Sequence, residues 1–272
     1  MRATRQRLSI YLINLERDVS RRAFMERQLA THGLAAVRVP GVRGDQLSEG
    51  EARYHRSPRR SHLSSPEVGC LLSHLRVWRA VASGPSAHAL VLEDDVHLAA
   101  DFESFLSSLP LDPTLQGVHR LETFCARVTL LRQPDFTVGH RRAYRLETNH
   151  GGAAAYILNQ RTARHLLTFC DKLQHLPDVE LFDPARRQVT NMTTYQWMPA
   201  PCIQDFLFAT PTAREGFGSN LDHDRADRRA GVLLRPSKMK RRAKALVRPL
   251  YTALYSLALL PRGRQRVDVR FG

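Results

Sequence analysis

Three consecutive acids, Glu93-Asp94-Asp95, close the apolar run Ala87 to Leu92. Like charges this close raise one another's pKa, so the cluster is costly unless a cation sits among its members. A divalent metal that is itself bound to phosphate relieves that cost. Mg²⁺ and Mn²⁺ favour carboxylate oxygens and keep positions for phosphate oxygens and water. The acid-x-acid form therefore suits a metal bridging protein to a nucleotide diphosphate. The same triplet also reads as a solvated strand-to-loop turn, where Asp is common, and spacing alone does not choose between the two.

Other residues bear on such a site in weaker ways. Asn14, Arg17 and Arg21 follow the first apolar run, where a base, ribose or phosphate is met. Arg grips phosphate through its bidentate fork, although an Arg at a helix start is commonly just solvated. His74 either faces a diphosphate or satisfies a hydrogen bond inside a helix. His150, beside Gly151-Gly152, either approaches a sugar or serves a turn. Trp78 has the spacing of a core residue. Tyr195 and Trp197 lie in a loop-like segment and are the better candidates for stacking on an acceptor sugar.

The elements that must hold these groups follow from periodicity. Ser9 to Leu15 and Ala36 to Val39 read as strands, with a helix between them that carries Phe24, Met25 and Leu29 and stops near Gly33. Arg53 to Ser65 is basic and rich in Ser and Pro, and reads as a mobile surface loop. Glu67 to Val81 has helical spacing, and Ala87 to Leu92 has the continuous apolarity of a central strand buried on both faces. A helix near Phe102 to Leu109 and a strand at Val118 to Thr123 follow. Gly151 to Leu158 reads as a further strand and Thr162 to Leu173 as a helix, capped by Asn159 or Thr162. Alternating strands and helices predict an α/β domain on a mostly parallel central sheet. In such sheets ligands bind at the carboxyl ends of the strands, where the acidic triplet sits.

Composition narrows the class. The chain has 272 residues and is 43% hydrophobic, 7% aromatic and 25% charged, which supports a packed core and excludes wholesale disorder. Lys plus Arg total 41 against 26 acids, a net charge of +15, so polyanions are the expected partners. The four cysteines are widely separated, without a CxxC pair, which argues for a reducing compartment and against a zinc ribbon. The apolar run near the N-terminus is too short for a signal peptide, so a cytoplasmic location is expected.

The cations are densest from Lys238 to Arg248 and again at Arg262, Arg264 and Arg266, on either side of the apolar stretch Leu250 to Leu260. As a helix that stretch would be about 16 Å long, roughly half a hydrocarbon core. It cannot span, but it suits the interface of an anionic membrane. The expected division is a catalytic domain at 1–234 and a basic, amphipathic, membrane-associating tail at 235–272, with the protein peripheral on the cytoplasmic face of the inner membrane.

Several blocks, taken in order, go further. Ile10-Tyr-Leu-Ile-Asn-Leu-Glu-Arg17 with Arg21-Arg22, Pro66-Glu-Val-Gly-Cys-Leu-Leu-Ser-His74, Ala89-Leu-Val-Leu-Glu-Asp-Asp-Val96, Gly151-Gly-Ala-Ala-Ala-Tyr-Ile-Leu158 and Asp178-x-x-Leu-Phe182 resemble those of glycosyltransferase family 25, the bacterial lipooligosaccharide galactosyltransferase type. The chain departs from the family at Pro66, at Arg43 (usually Asp) and at Pro177 (usually Val). The resemblance implies a GT-A-like (Rossmann-like) nucleotide-sugar-binding domain using a UDP-sugar, expected to be UDP-galactose, with Mn²⁺ (or Mg²⁺). It also implies inverting, β-linked transfer to a growing lipooligosaccharide or lipopolysaccharide core.

In that reading Asp95 ligates the metal with Asp94 assisting, and Glu93 contacts ribose or a metal-bound water. Asn14, Arg17, Arg21 and His74 complete the donor site. Inverting transfer needs a base for the acceptor hydroxyl, and Asp178 is the first choice, with Glu67 and Asp205 as alternatives. Two other classes fit the charge: a basic nucleic-acid-binding protein and another metal-dependent enzyme acting on nucleotide phosphates. No RNP, KH or zinc-finger pattern supports the first, so no nucleic-acid partner is expected, and no Walker-type loop supports the second.

Overall fold

The computed structural model describes residues 8–55, 57–60, 62–112, 117–148, 151–208, 215–217 and 263–272. From the N-terminus run β1 (Leu8–Asn14), α1 (Val19–Thr31), β2 (Val37–Pro40), α2 (Glu49–His55), α3 (Ser65–Ser83), β3 (His88–Glu93), β4 (Val96–Leu98) and α4 (Phe102–Ser107). The middle of the chain forms β5 (Gly117–Arg120), β6 (Glu122–Thr123), β7 (Arg127–Leu131), β8 (Phe136–Val138), β9 (Arg141–Arg145), β10 (Ala155–Asn159) and α5 (Gln160–Leu167). Then come α6 (Pro177–Phe182), α7 (Pro184–Thr190), β11 (Thr193–Met198), β12 (Cys202–Gln204) and β13 (Arg264–Asp268).

An eight-stranded sheet in the order β2-β1-β3-β10-β5-β11-β9-β8 forms the middle layer. Strand alternation sends Tyr11, Ala89, Val91, Tyr156 and Leu158 to one face, where they pack with Leu71, Leu75 and Trp78 of α3. Ile10, Leu12, Leu90, Leu92 and Ile157 point the other way, onto Phe24, Met25 and Leu29 of α1 and Phe102 and Phe105 of α4. Ala89 to Leu92 are at most 1% exposed, as a strand covered on both faces requires.

The sheet is mixed rather than mostly parallel. β1 pairs in parallel with β2 and β3, and β5 with β11, but β10 runs antiparallel to both β3 and β5. β9 is likewise antiparallel to β8 and β11. A parallel neighbour needs a crossover connection, whereas β8 and β9 are joined by a short turn and β10 enters from a loop rather than a helix. The reversal has a functional consequence. Because β10 opposes β3, its incoming segment, Gly151 to Ala154, arrives at the carboxyl end of β3 and not at the far edge.

Local signals set the helices that carry site residues. α3 starts in a capping box: Ser64 accepts from the backbone N–H of Glu67, and the Glu67 carboxylate accepts from the backbone N–H of Ser64 at 3.0 Å. α5 is capped by Asn159, whose side-chain oxygen accepts from Thr162 N–H at 2.7 Å, and it ends at Leu167 rather than Leu173. Pro177 occupies the first turn of α6, a position that needs no N–H donor.

Two further expectations change. Within Arg53 to Ser65 the described residues are not a loose loop, because Arg60 is 3% exposed. Its guanidinium lies 3.5 Å over the Tyr54 ring and donates to the carbonyls of Cys170 and Asp171. A basic composition gives no sign that one Arg has backbone acceptors to bind. The C-terminal residues also rejoin the body: β13 pairs antiparallel with β7, Arg264 bonds Glu147 at 2.9 Å, and Val269 is fully buried. Arg264 is therefore tied to the body of the protein rather than to a detached tail. Lys238 to Arg248 and Leu250 to Leu260, which carry the membrane expectation, lie outside the described residues. Among the described residues no helix is long and apolar enough to cross a membrane.

Candidate active site

A cavity of about 500 Å³ opens at the carboxyl ends of β1 and β3. The parallel register that aligns Ile13 with Glu93 sets Asn14 and the acidic triplet side by side. The turn after β1 adds Arg17, and the first turn of α1 adds Arg21. α3 contributes Cys70 and His74, the segment before β10 contributes Gly152 and Ala153, and the start of α6 contributes Asp178. Residues about 160 positions apart in sequence thus share one wall-to-wall space, and most of the expected site is brought together.

The floor of the cavity is a buried ionic knot. Arg21, 7% exposed, places Nη2 2.7 Å from Asp95 Oδ2 and Nε 3.2 Å from Asp94 Oδ1. Asn14 Nδ2 donates to Asp94 Oδ2 at 2.7 Å, and Gln204 Nε2 donates to Asp95 Oδ1 at 3.3 Å. Even so, burial pushes Asp94 up to about 7, against the pull of Arg21. Burial and the Glu93 charge push Asp95 up to about 6. The trio is therefore short of positive charge with Arg21 alone, and Arg21 Nε, buried, makes no aligned hydrogen bond. A hard, all-oxygen donor set with lone pairs to spare and a charge deficit fits Mn²⁺ or Mg²⁺, with Asp95 and Asp94 as the residues to hold it.

Glu93 is positioned by a buried chain of hydrogen bonds. Trp78 Nε1 donates to the Tyr156 hydroxyl at 2.9 Å, the hydroxyl lies 2.9 Å from His74 Nδ1, and His74 Nε2 lies 3.1 Å from Glu93 Oε1. His74 is thus both a bonded helix residue and a cavity wall. Trp78 is core, fully buried.

Across the cavity Asp178 Oδ2 accepts from Gly152 N–H at 3.2 Å. Gly152 takes a φ of +78°, and a Cβ there would lie 2.3 Å from Phe124 Cε2 and 2.8 Å from Glu122 Oε2, so only glycine lets the backbone reach Asp178. Arg120, fully buried, donates to the Gly152 carbonyl at 2.7 Å, and its charge faces Glu122 and Asp178. Burial pushes Glu122 up to about 8.

Several expected residues do not reach the cavity. Glu67 spends its carboxylate on the capping box. Asp205, 1% exposed, accepts from His97 at 2.7 Å and from the N–H groups of Glu215 and Phe217, which together hold its carboxyl below the usual carboxylate range. Neither is among the residues that line the cavity. Tyr195 and Trp197 are not in a loop but on β11. Both are buried, Trp197 completely, where it donates to His119 at 3.3 Å, so neither is a stacking platform. His150 lies outside the described residues. Arg43, at the cavity rim, is paired with Asp45 at 2.5 Å.

Gln204, Arg120, Glu122, Phe124 and Phe206 belong to the site or its support and carry no sequence signal of it. Each stands in or beside a short strand, and only strand pairing delivers them: β5 with β10 and β11 for Arg120, and β12 with β4 and β6 for the others.

The model of glycosyltransferase family 25 (LPS biosynthesis protein) matches residues 7–181, more than half of the chain. A putative glycosyltransferase of Haemophilus influenzae is 23% identical over 72% of this chain and 70% of its own length. The lipooligosaccharide biosynthesis protein lex-1 of the same organism is 30% identical over 53% of this chain and 50% of its own. The lacto-N-neotetraose biosynthesis glycosyltransferase LgtB of Neisseria gonorrhoeae is 30% identical over 60% and 62%. The last two are thus matched over less than two thirds of their length. The solved structure of the galactosyltransferase LgtC with donor and acceptor sugar analogues superposes over 86% of this chain and 99% of that one, at 12% identity and a TM-score of 0.37, too loosely to bear on the site.

Proposed function

The chain belongs to glycosyltransferase family 25, the LPS biosynthesis protein family, and from that premise we propose that it is an inverting, UDP-sugar-dependent hexosyltransferase of GT-A type. The sugar is galactose, passed in β-linkage from UDP-galactose to a growing lipooligosaccharide or lipopolysaccharide core. The observation that carries this reading is the single cavity that gathers Asn14, Arg17 and Arg21, the triplet Glu93-Asp94-Asp95, and Asp178 from three distant blocks of the chain.

Each group has a task that its surroundings permit. A divalent cation, Mn²⁺ or Mg²⁺, held by Asp95 with Asp94 supplies neutralisation of the departing diphosphate. Arg21 aligns both aspartates and offsets part of their charge, while Arg17, more exposed at the cavity rim, takes phosphate oxygens. Glu93, steadied by His74, accepts the ribose hydroxyls. Asp178, fixed by Gly152 N–H, receives the proton of the acceptor hydroxyl. The basic, apolar segment within 235–272 keeps the enzyme on the anionic cytoplasmic face of the inner membrane, beside its lipid-borne acceptor.

The test has two stages. UDP with Mn²⁺ should raise the melting temperature, while oligonucleotides should do so only at low salt. A panel of UDP-sugars with truncated lipooligosaccharide should then yield transfer that Asp95→Ala abolishes in a folded protein. No thermal shift with any nucleotide diphosphate, or transfer undiminished in Asp95→Ala at saturating Mn²⁺, would overturn the reading.

A further inference from the structure

Beside the oxygen-rich aspartates the cavity holds a second set of donor atoms with different chemistry. Cys70 and His74 stand four residues apart on α3, so both project from one face of the helix, and Glu93 ends the strand opposite. The Cys70 Sγ, a ring nitrogen of His74 and a carboxylate oxygen of Glu93 all lie within 4.8 Å of one another. All three residues line the cavity, and the Cys70 thiol is in no disulfide and only partly covered. The far ring nitrogen of His74 is held by Tyr156, which is held in turn by Trp78. Such a partner behind the ring is what orients a ligating histidine.

Sulfur, imidazole and carboxylate form a borderline-soft set. It selects zinc over the hard ions that suit Asp94 and Asp95, and three protein ligands leave a fourth position for water or substrate. We propose that Cys70, His74 and Glu93 form a site for Zn²⁺ or a similar thiophilic dication, whose occupation inhibits the enzyme by drawing the Glu93 carboxylate away from the nucleotide. On binding, the Cys70 thiol loses its proton to solvent, and the His74 ring proton resides on Nδ1, facing Tyr156. The inhibition rests on the transfer reading above, but the binding does not.

Cobalt serves as a visible stand-in for zinc. Metal-stripped, full-length protein titrated with Co²⁺ should develop a thiolate-to-cobalt charge-transfer band that saturates at one equivalent and collapses on adding Zn²⁺. The band should vanish in Cys70→Ser and persist in Cys125→Ser and Asp95→Asn. Independently of any variant, Zn²⁺ should shield Cys70 of the wild-type protein from alkylation, read by peptide mass mapping. Zinc should depress turnover at saturating Mn²⁺ by an order of magnitude in the wild type, and far less in Cys70→Ser. Absence of the band, its survival in Cys70→Ser, or unshielded alkylation overturns the site. Cobalt binding as described in a protein that moves no sugar would instead sink the transfer reading and leave the site standing.

Discussion

Asp94→Asn should trade stability against pH in a way that reports the charge deficit of the site. Burial carries Asp94 from 3.8 to about 7. A carboxyl whose folded pKa is raised favours the folded state at low pH, and that contribution is lost as pH climbs from the unfolded value through the folded one. The span is about 3 pH units, and each unit is worth about 1.4 kcal/mol, so holding Asp94 ionised above pH 7 costs about 4 kcal/mol. Asparagine escapes that cost, but it turns an NH2 toward one of two donors, Asn14 Nδ2 or Arg21 Nε, a loss of about 1–2 kcal/mol. In EDTA, the variant should therefore be less stable than wild type by about 1–2 kcal/mol at pH 4 and more stable by about 2–3 kcal/mol at pH 8. The two curves should cross near pH 5, by the same slope of about 1.4 kcal/mol per unit. Urea unfolding followed by circular dichroism at half-unit pH steps supplies both curves. Parallel curves, or a variant that is the weaker at pH 8, would refute the burial argument. Sugar transfer by the stabilised variant should be lost.

Other perturbations address the remaining walls of the cavity. Gly152→Ala puts a Cβ 2.3 Å from Phe124 at a φ of +78°, and should cost about 2–5 kcal/mol in a denaturant titration. On the reading in which Asp178 takes the proton of the acceptor hydroxyl, Asp178→Asn should lower kcat by two orders of magnitude or more while calorimetry finds UDP affinity intact; an unchanged kcat moves the base elsewhere. Ser64→Ala removes half of the α3 capping box and should cost about 1 kcal/mol in thermal unfolding. Glu67→Gln should leave kcat of the folded fraction unchanged, and a collapse of kcat would return Glu67 to the catalytic candidates.

How far the site was legible depends on how local each residue's cause is. The acidic triplet, the strand before it and the helix bearing His74 all follow from short-range pattern, and the structure places them where the pattern does. Asp178 was found through its block and sits in the cavity despite Pro177, which a helix start accommodates. Glu67 and Asp205 have carboxylates of the right type that the fold engages elsewhere: one at a helix end, the other with His97 and two backbone N–H groups. Tyr195 and Trp197 failed because aromatic residues at a half-polar stretch look alike whether their strand is inside or at the edge. β11 is the interior case, flanked by β5 and β9.

By itself the sequence determined the α/β class, the strand that ends in acids, the Asn159 cap of α5 and the family, because each depends on residues within a few positions or on an ordered set of blocks. Tertiary structure alone decided that the sheet is mixed, since strand direction depends on which neighbour is adjacent and not on any strand's own residues. That choice brings Gly152 and Asp178 across from Glu93. It was likewise the fold that answered the acids with Arg21, 7% exposed and about 70 residues upstream. Charge in a buried site is balanced by what lies near in space, and a linear chain carries no measure of that distance.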